Sequence, residues 1–527
     1  MSDTLITVKI NEIEVEVPKG TTLLKAAEKA GVTIPTFCYH DGLSIPANCR
    51  MCLVNTNKAP KLLPACYATV MDGMEVWTED EKTQKTRKST LEFILLHHPV
   101  DCPICDQAGE CTLQDNYFNY SSTPSRLFTK KGHKPKAVAI GPNVMLDAER
   151  CIVCTRCIRF CDEVSKSSEL QIIHRGERSE ITTFPGKELD NPYATCTADI
   201  CPVGALTSRD FRFKRRVWLL KSTNSVCGGC SRGCNIFVDH CENTVDRYRP
   251  RYNEDVNKWW MCDAGRLSYQ DQQEDRIENA QVGAESVSLD EAIGAAALQL
   301  EGATKLAVVP SLLSTNEDLY SLAAFSKSLG VSTWYVGGRA DGDDQDDLLI
   351  RNDKNPNRAG LTVIMKSAGI TGQPLETLAT DIASGNVTSA LWIGHEHAAT
   401  EALKAGLESL EQRIVVATKA SEWQHGADVI LPMCTYEEVD GTWTQFEGKL
   451  QRLCQALQAR REVLPLWQVL ARLGGALNKS DDLPTASSVK GIFAEMILAV
   501  PAWKEASFAS PDAPPPLYNT LPIQRSA

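Results

Sequence analysis

The chain has 527 residues, enough for three or four domains of the usual one to two hundred each. With 43% hydrophobic and 23% charged residues it has apolar surface for several cores, which excludes disorder as its main state. A net charge of −12 argues against clamping nucleic-acid phosphates, which needs surplus Lys and Arg, and no apolar run reaches the roughly 18–20 residues that span a bilayer. The opening Met1-Ser2-Asp3-Thr4 shows neither the basic region nor the apolar stretch of a signal peptide, so a cytoplasmic chain is expected. Of the 20 cysteines, 18 fall between Cys38 and Cys262, and only Cys434 and Cys454 lie beyond. Cysteine this dense, at short regular spacings and without a secretion signal, points to metal or iron–sulfur ligation rather than disulfides.

In chain order, Ile6, Val8 and Ile10 alternate, then Ile13, Val15 and Val17, on either side of Asn11-Glu12, which predicts a β-hairpin. Pro18-Lys19-Gly20 ends the second strand, and Thr21 or Thr22 caps a helix with Leu23, Leu24 and Ala27 inside and Gly31 as its stop. That is how a small ferredoxin-type α/β domain begins. Asp80 to Leu96 is helix-prone. His97 to about Arg216 is rich in Cys, Gly, Pro and Asp with weak periodicity, a segment to be organised by its metal centres. After about Gln272, strands such as Lys305–Val309, Ala390–Ile393 and Arg413–Val416 alternate with amphipathic Ser288–Leu300 and Thr400–Leu410, which argues a parallel α/β domain. The five acids of Asp341–Asp347 read as a solvated loop, and Pro511–Ile523, with five prolines, reads as an extended tail.

Four ligand sets stand out. Cys38, Cys49, Cys52 and Cys66 form a stretched version of the plant-type ferredoxin pattern and suit a [2Fe–2S] cluster. His98, Cys102, Cys105 and Cys111 can hold zinc or a [4Fe–4S] cluster, and their iron–sulfur neighbours favour the cluster. His97 is adjacent to His98, and one of the two is a bystander. Cys151, Cys154 and Cys157, at C-x2-C-x2-C, give the strongest [4Fe–4S] signal. Cys161 completes a ferredoxin spacing, but the last cysteine of that pattern precedes a Pro and ligates the other cluster; Cys161 precedes Asp162 and Cys201 precedes Pro202, so Cys201 is taken as the fourth ligand. Cys161 and Cys196 are then small buried hydrophobes. Cys227, Cys230, Cys234 and Cys262 suit a third [4Fe–4S] cluster, with Gly228, Gly229 and Gly233 giving the loop its freedom. Structural zinc is the alternative at these sites. Cys241 is unassigned.

These sets, in this order, resemble the large iron–sulfur subunit of respiratory NADH:quinone oxidoreductase (complex I). The flanking words agree: His98-Pro99-Val100-Asp101-Cys102-Pro103, Cys154-Thr155-Arg156-Cys157-Ile158-Arg159-Phe160 and Asp199-Ile200-Cys201-Pro202-Val203-Gly204-Ala205-Leu206. Beyond about residue 270 the likeness loosens. Ala427-Asp428-Val429-Ile430-Leu431-Pro432, Asp440-Gly441-Thr442 and Glu447-Gly448-Lys449 look like remnants of a molybdopterin-oxidoreductase domain, with about 265 residues after Cys262 implying a shortened one. Ala264 stands where cofactor-using relatives tend to carry a basic residue. The resemblance implies an α+β and α/β multidomain chain. Residues 1–80 would be a [2Fe–2S] ferredoxin-like β-grasp domain, and 81–216 would hold the one-His/three-Cys and all-Cys [4Fe–4S] sites. Residues 217–272 would be a 4Fe–4S domain of the molybdenum- and tungsten-oxidoreductase type, 273–508 a reduced molybdopterin-oxidoreductase-like α/β domain, and 509–527 a Pro-rich tail. It implies one [2Fe–2S] and three [4Fe–4S] clusters and no molybdopterin. The partners would be a flavin-bearing NADH-oxidising subunit and other peripheral-arm subunits, with the membrane arm reached only indirectly. The chain would work as a peripheral protein on the cytoplasmic side of the inner (plasma) membrane, passing electrons from NADH toward quinone. The fourth cluster would lie off the main path and hold the α/β domain to the ferredoxin part.

The chain has no P-loop, no G-x-G-x-x-G after a strand and no G-x-S-x-G elbow, so no catalytic residue is assigned. His395-Glu396-His397 and His425 lack H-E-x-x-H spacing and read as surface residues. The rival readings are a formate dehydrogenase catalytic subunit, a hydrogenase electron-input module and a zinc scaffold. The first two want further cysteines downstream, and none lies between Cys262 and Cys434.

Overall fold

The computed structural model describes residues 4–121, 124–126, 128, 130–398 and 400–508. They form two compact units that divide between Leu219 and Leu220. The predicted proline-rich tail lies outside the described residues.

The first unit opens with β1 (Leu5–Ile10), β2 (Ile13–Pro18), α1 (Leu23–Lys29), β3 (Leu53–Thr56), β4 (Leu63–Pro64) and β5 (Met74–Trp77). The sheet order is β2-β1-β5-β3-β4, with β1 parallel to β5. The hairpin turn is tight because Asn11 and Glu12 both take left-handed backbone (φ 46° and 71°), which matches the twist of the strands. Thr22 caps α1 by accepting from the Lys25 N–H (3.3 Å). Ile6, Val8, Ile10 and Val17 bury one sheet face against Leu23, Leu24, Ala26 and Ala27, and Cys52 and Cys66 lie in the same core.

The rest of this unit is α2 (Glu81–Leu95), α3 (Thr112–Tyr120), β6 (Val138–Ala139), β7 (Val144–Leu146), α4 (Arg156–Glu163), β8 (Leu170–Ile173), β9 (Glu180–Thr183), α5 (Cys196–Asp199) and β10 (Leu206–Ser208). Its ladders are short, a three-stranded sheet β10-β7-β6 and the pair β8-β9. Apolar residues are too sparse here for long strands, and the loops between these pieces carry the cysteines.

The second unit begins with the antiparallel meander β11 (Lys221–Val226), β12 (Asn235–Cys241) and β13 (Thr244–Pro250), then α6 (Asp263–Leu267) and α7 (Tyr269–Gln273). There follow β14 (Ala280–Val282), β15 (Glu285–Val287), α8 (Leu289–Gly302), β16 (Leu306–Val309), α9 (Asn316–Ser328), β17 (Thr333–Val336), α10 (Arg358–Ala368), β18 (Thr371–Pro374), α11 (Thr377–Ala383), β19 (Ser389–Ile393), α12 (Glu401–Glu408), β20 (Gln412–Ala417) and β21 (Val429–Pro432). The chain closes with β22 (Gly441–Thr444), β23 (Leu450–Leu453), α13 (Leu466–Ala476) and α14 (Val489–Ala499). The large sheet runs β15-β14-β21-β20-β19-β16-β17-β18 and is parallel from β21 to β18. Alternate strand residues enter two cores. Val308, Leu391, Ile393 and Val416 meet Leu300, Leu319 and Leu470 on one face, while Val309, Trp392 and Val415 meet Leu378, Leu403 and Leu407 on the other. The two cores make a three-layer α/β/α sandwich and explain why these strands read as unbroken apolar runs.

One reading of a surface segment needs correction. His395-Glu396-His397 is not a surface triplet. It follows β19, where the strand order reverses between β16 and β19. His397 is buried, accepts the Gly338 N–H at Nδ1 (3.1 Å), bonds the Ile393 carbonyl through Nε2 (2.7 Å) and packs edge-on to Trp392. Glu396 accepts from the Ser311 hydroxyl (2.6 Å) and the Leu312 N–H (2.9 Å). Sequence spacing could not show that β19 ends at the inner part of the sheet, where its loop is covered. The acidic loop 341–347 is mostly exposed, but Asp346 is pinned, accepting the N–H groups of Leu348, Leu349 and Ile350.

Candidate iron–sulfur sites

The first set lies on the loops after α1 and around β3. Cys38, Cys52 and Cys66 are buried and Cys49 is partly so. Cys38 lies beside Cys49 and Cys52 beside Cys66. The neighbouring Cys38 thiol draws the Cys49 thiol down to about 6. The peptide groups of Asn48 and Met51 lie near these sulfurs. Ala47 and Arg50 adopt left-handed backbone (φ 50° and 59°), which curls the loop so that its N–H groups turn inward. Four thiols with peptide groups near their sulfurs fit thiolates that carry a cluster's negative charge.

In the second set, Cys102 opens a single helical turn and Cys111 caps α3. Cys102, Cys105 and Cys111 are close enough to feel one another's charge. The two neighbouring histidines separate clearly. His97 accepts the Gly132 N–H at Nδ1 (3.1 Å). The His98 Nδ1 is buried without a hydrogen-bond partner, and burial holds the ring neutral by lowering its pKa to about 4. A neutral imidazole with a free nitrogen fits a metal ligand. Arg150, almost wholly buried, clamps Asp101 through Nε (3.1 Å) and Nη2 (2.7 Å), one residue ahead of Cys102. Arg216 donates to the Cys105 carbonyl (2.8 Å) and to that of Pro103.

In the third set, Cys151, Cys154, Cys157 and Cys201 line one pocket with Leu146, Ile152, Arg156, Ile181, Val203, Ala205 and Leu206. Cys161 and Cys196 are fully buried and do not border it. Serines flank the Cys161 thiol instead. Between the first three cysteines, Val153 and Thr155 sit at φ 54° and 64°. Left-handed backbone in β-branched residues costs on the order of 1–3 kcal/mol each, and here it turns the Val153 N–H onto the Cys151 sulfur (3.3 Å). Burial pushes the Cys151 thiol up to about 12 and Cys154 to about 11, so ligation here must displace protons.

The fourth set occupies the β11–β12 loop, with Cys262 capping α6 by accepting the Gly265 N–H (3.3 Å). The Gly229 N–H meets the Cys227 sulfur (3.4 Å) as Val153 meets Cys151. All four thiols line a common pocket that also reaches Arg339 and Lys354. Of the three glycines read as flexible, only Gly233 uses left-handed backbone (φ 62°). Gly228 and Gly229 instead allow close approach, since a Cβ would meet the Tyr436 ring at 2.9 Å or the Gly265 Cα at 3.3 Å. Gly265 itself was missed: its Cβ would press on Cys227 and Cys262 sulfurs at 3.0 and 3.2 Å.

Among the described residues no three His, Cys, Asp or Glu side chains converge as on a single ion. Arg150, Arg156, Arg159, Arg216, Arg339, Gly204 and Gly265 were not foreseen as site residues. Arg156 and Arg159 stand in the C-T-R-C-I-R-F word, but nothing local shows that they reach loops over a hundred residues away.

The comparisons with known proteins agree in order. Residues 3–81 match the 2Fe-2S iron-sulfur cluster binding domain, and 87–126 the NADH-ubiquinone oxidoreductase-G iron-sulfur binding region. Residues 141–207 match the NADH-quinone oxidoreductase subunit 3 ferredoxin-like domain. Residues 220–270 match the NDSU1/NuoG-like 4Fe-4S domain of NADH-ubiquinone oxidoreductase, and 351–476 the molybdopterin oxidoreductase family. The G-type subunit of the NADH-quinone oxidoreductase of Rickettsia bellii is 38% identical over 338 residues, 63% of this chain and 50% of that protein. The NADH-ubiquinone oxidoreductase 75 kDa subunit of Reclinomonas americana is 43% identical over 276 residues, 52% of this chain and 40% of that one. Among solved structures, the NAD+-reducing [NiFe]-hydrogenase in its H2-reduced state aligns at 28% identity and a TM-score of 0.37, over 40% of this chain and 91% of that one. The chain spans about half the length, or less, of the curated relatives it matches. It thus carries consecutive [2Fe–2S]- and [4Fe–4S]-type binding domains ahead of a molybdopterin-oxidoreductase-type domain, and by sequence it is a relative of the large (75 kDa-type) iron–sulfur subunits of NADH-quinone oxidoreductase.

Proposed function

We propose that the chain is an electron-relay subunit of an NADH:quinone oxidoreductase, taking electrons from a flavin-bearing NADH-oxidising partner and passing them toward quinone through other subunits. Its ligands would be Cys38, Cys49, Cys52 and Cys66 for one [2Fe–2S] cluster, with three [4Fe–4S] clusters held by His98, Cys102, Cys105 and Cys111, by Cys151, Cys154, Cys157 and Cys201, and by Cys227, Cys230, Cys234 and Cys262. Such clusters, when bound, supply one-electron carriers whose potentials depend on ligand type, hydrogen bonds and burial. The protein's own part is to exclude water with the apolar walls, aim peptide N–H groups at sulfur and fix the spacing of the sites. The observation that carries this reading is that the second and third cages share a wall, where Gly204 of one loop touches Cys105 of the other. Adjacent cages suit relay, since electron tunnelling falls steeply with distance. Among the described residues no helix is long and apolar enough to cross a membrane. By its resemblance to the large iron–sulfur subunits, the chain would sit peripherally on the cytoplasmic face, held by its partners.

Metal and sulfide analysis of anaerobically purified chain tests this. The reading requires about 14 irons per chain, two from the first site and four from each of the others, with no molybdenum. Near 10, with or without zinc, would remove one [4Fe–4S] site. Stoichiometric molybdenum would overturn the relay reading in favour of a catalytic oxidoreductase.

A further inference from the structure

Helix α4 carries Cys157 and begins two residues after Cys154, and one of its faces is bound to the loop that follows Cys38. Arg159 donates Nη2 to the Cys38 carbonyl (2.6 Å) and Nη1 to that of Ser44. Arg156 donates to the carbonyl of Tyr39, one residue past Cys38, and to that of Ile200 (3.0 Å), one residue before Cys201. One turn on, Glu163 accepts the Ser44 N–H (2.8 Å) and its hydroxyl. These partners lie 115 to 121 residues away in the chain, apart from Ile200 at 44. Arg156 is 3% exposed, borders the space lined by Cys151, Cys154, Cys157 and Cys201, and has its Nε buried without a partner. A buried donor left unpaired is costly, so an acceptor in that space would satisfy it.

We propose that Arg156 and Arg159 are a positioning pair that couples the first and third cages. They fix the spacing of the two ligand loops and share their positive charge between both sites. This rests on the cluster reading above. Fork-shaped guanidiniums suit the task, because each can hold two carbonyls at once where a lysine holds a point. A reduced cluster is one charge more negative than an oxidised one, so a nearby fixed cation favours reduction at both sites. Arg156 borders the third cage and its Nε–H is buried without a partner, so a hydrogen bond from it to cluster sulfur would act in the same direction.

The test uses the full chain with its clusters, analysed for iron and titrated by EPR against potential. Arg159→Gln should lower the midpoints of the first and third sites together. It should also weaken the spin–spin coupling between them, while the His98 and Cys227 sites keep theirs. Arg159→Lys should restore the midpoints more than the coupling. Glu163→Gln, which removes a negative charge on the same face, should raise both midpoints. Arg156→Gln should lower the third site further than the first. Unchanged midpoints and coupling in Arg159→Gln with iron still near 14, or a shift at one site only, would overturn the proposal. Wild-type iron far below 14 would instead sink the cluster reading itself. If Arg159→Gln loses iron, Glu163→Gln and Arg159→Lys decide: raised midpoints at both sites in Glu163→Gln, with midpoints kept and coupling weakened in Arg159→Lys, support the pair, and unchanged midpoints in Glu163→Gln refute it.

Discussion

Gly204 lies so close to Cys105 that a methyl group on its Cα would sit 2.3 Å from the Cys105 sulfur. The glycine belongs to the loop of Cys201 and the cysteine to the second set, so two cages are built against each other. Gly204 does not need glycine's backbone freedom; it needs the missing side chain.

Gly204→Ala should therefore displace Cys105. Iron should fall toward about 10, with the signal of the second site lost or shifted and that of the first site intact. Full iron with an unchanged spectrum would show that the wall has room to yield. Gly265→Ala should act in the same way on the fourth site through Cys227 and Cys262.

Arg150 is buried and grips Asp101, with Asp147 at 3.2 Å. Removing one partner of a buried ion pair leaves a charge uncompensated, at a cost of about 3–5 kcal/mol. Arg150→Met should lower the denaturant midpoint of the first unit accordingly, and chemical unfolding of the loaded chain would measure it. A loss under about 1 kcal/mol would mean the pair is repaid by solvent.

His98→Cys should keep a cluster and lower its potential, because a thiolate adds negative charge where a neutral imidazole stood. An unchanged EPR spectrum and midpoint would remove His98 from the ligands, and His97→Ala is the matched control. In the third set, Cys161→Ala should leave iron content intact while Cys201→Ala loses one [4Fe–4S] signal. The opposite result would move the fourth ligand to Cys161.

Burial raises the Glu317 carboxyl to about 7, even though it accepts from the Thr442 N–H (2.8 Å) and hydroxyl (2.9 Å). A folded pKa above the unfolded value near 4.3 means the folded state binds more protons between those values. This group's contribution is full below about pH 4 and is lost as pH rises through about 7. Glu317→Gln should flatten the decline of the second unit's stability between pH 5 and 7. Melting temperatures across that range would show it, and equal slopes in both proteins would refute it.

Much was legible in the sequence because it is local. The alternation around Asn11-Glu12, the Thr22 cap and the apolar runs of β16, β19 and β20 each encode their own conformation through side-chain period and turn chemistry. The C-x2-C words within the four proposed sets stand out for the same reason, since their spacing is local. What only the tertiary structure decided involves groups far apart in the chain. His98 and His97 are equal by spacing and separate only when Gly132 engages one of them. His395-Glu396-His397 looks solvated until the strand order covers the end of β19. Arg156 and Arg159 look like ordinary helix-face cations until the loop after Cys38 closes over them. Local pattern fixes which residues can ligate. Long-range packing fixes which donors, cations and missing side chains surround them, because burial and carbonyl contacts arise only when distant loops meet.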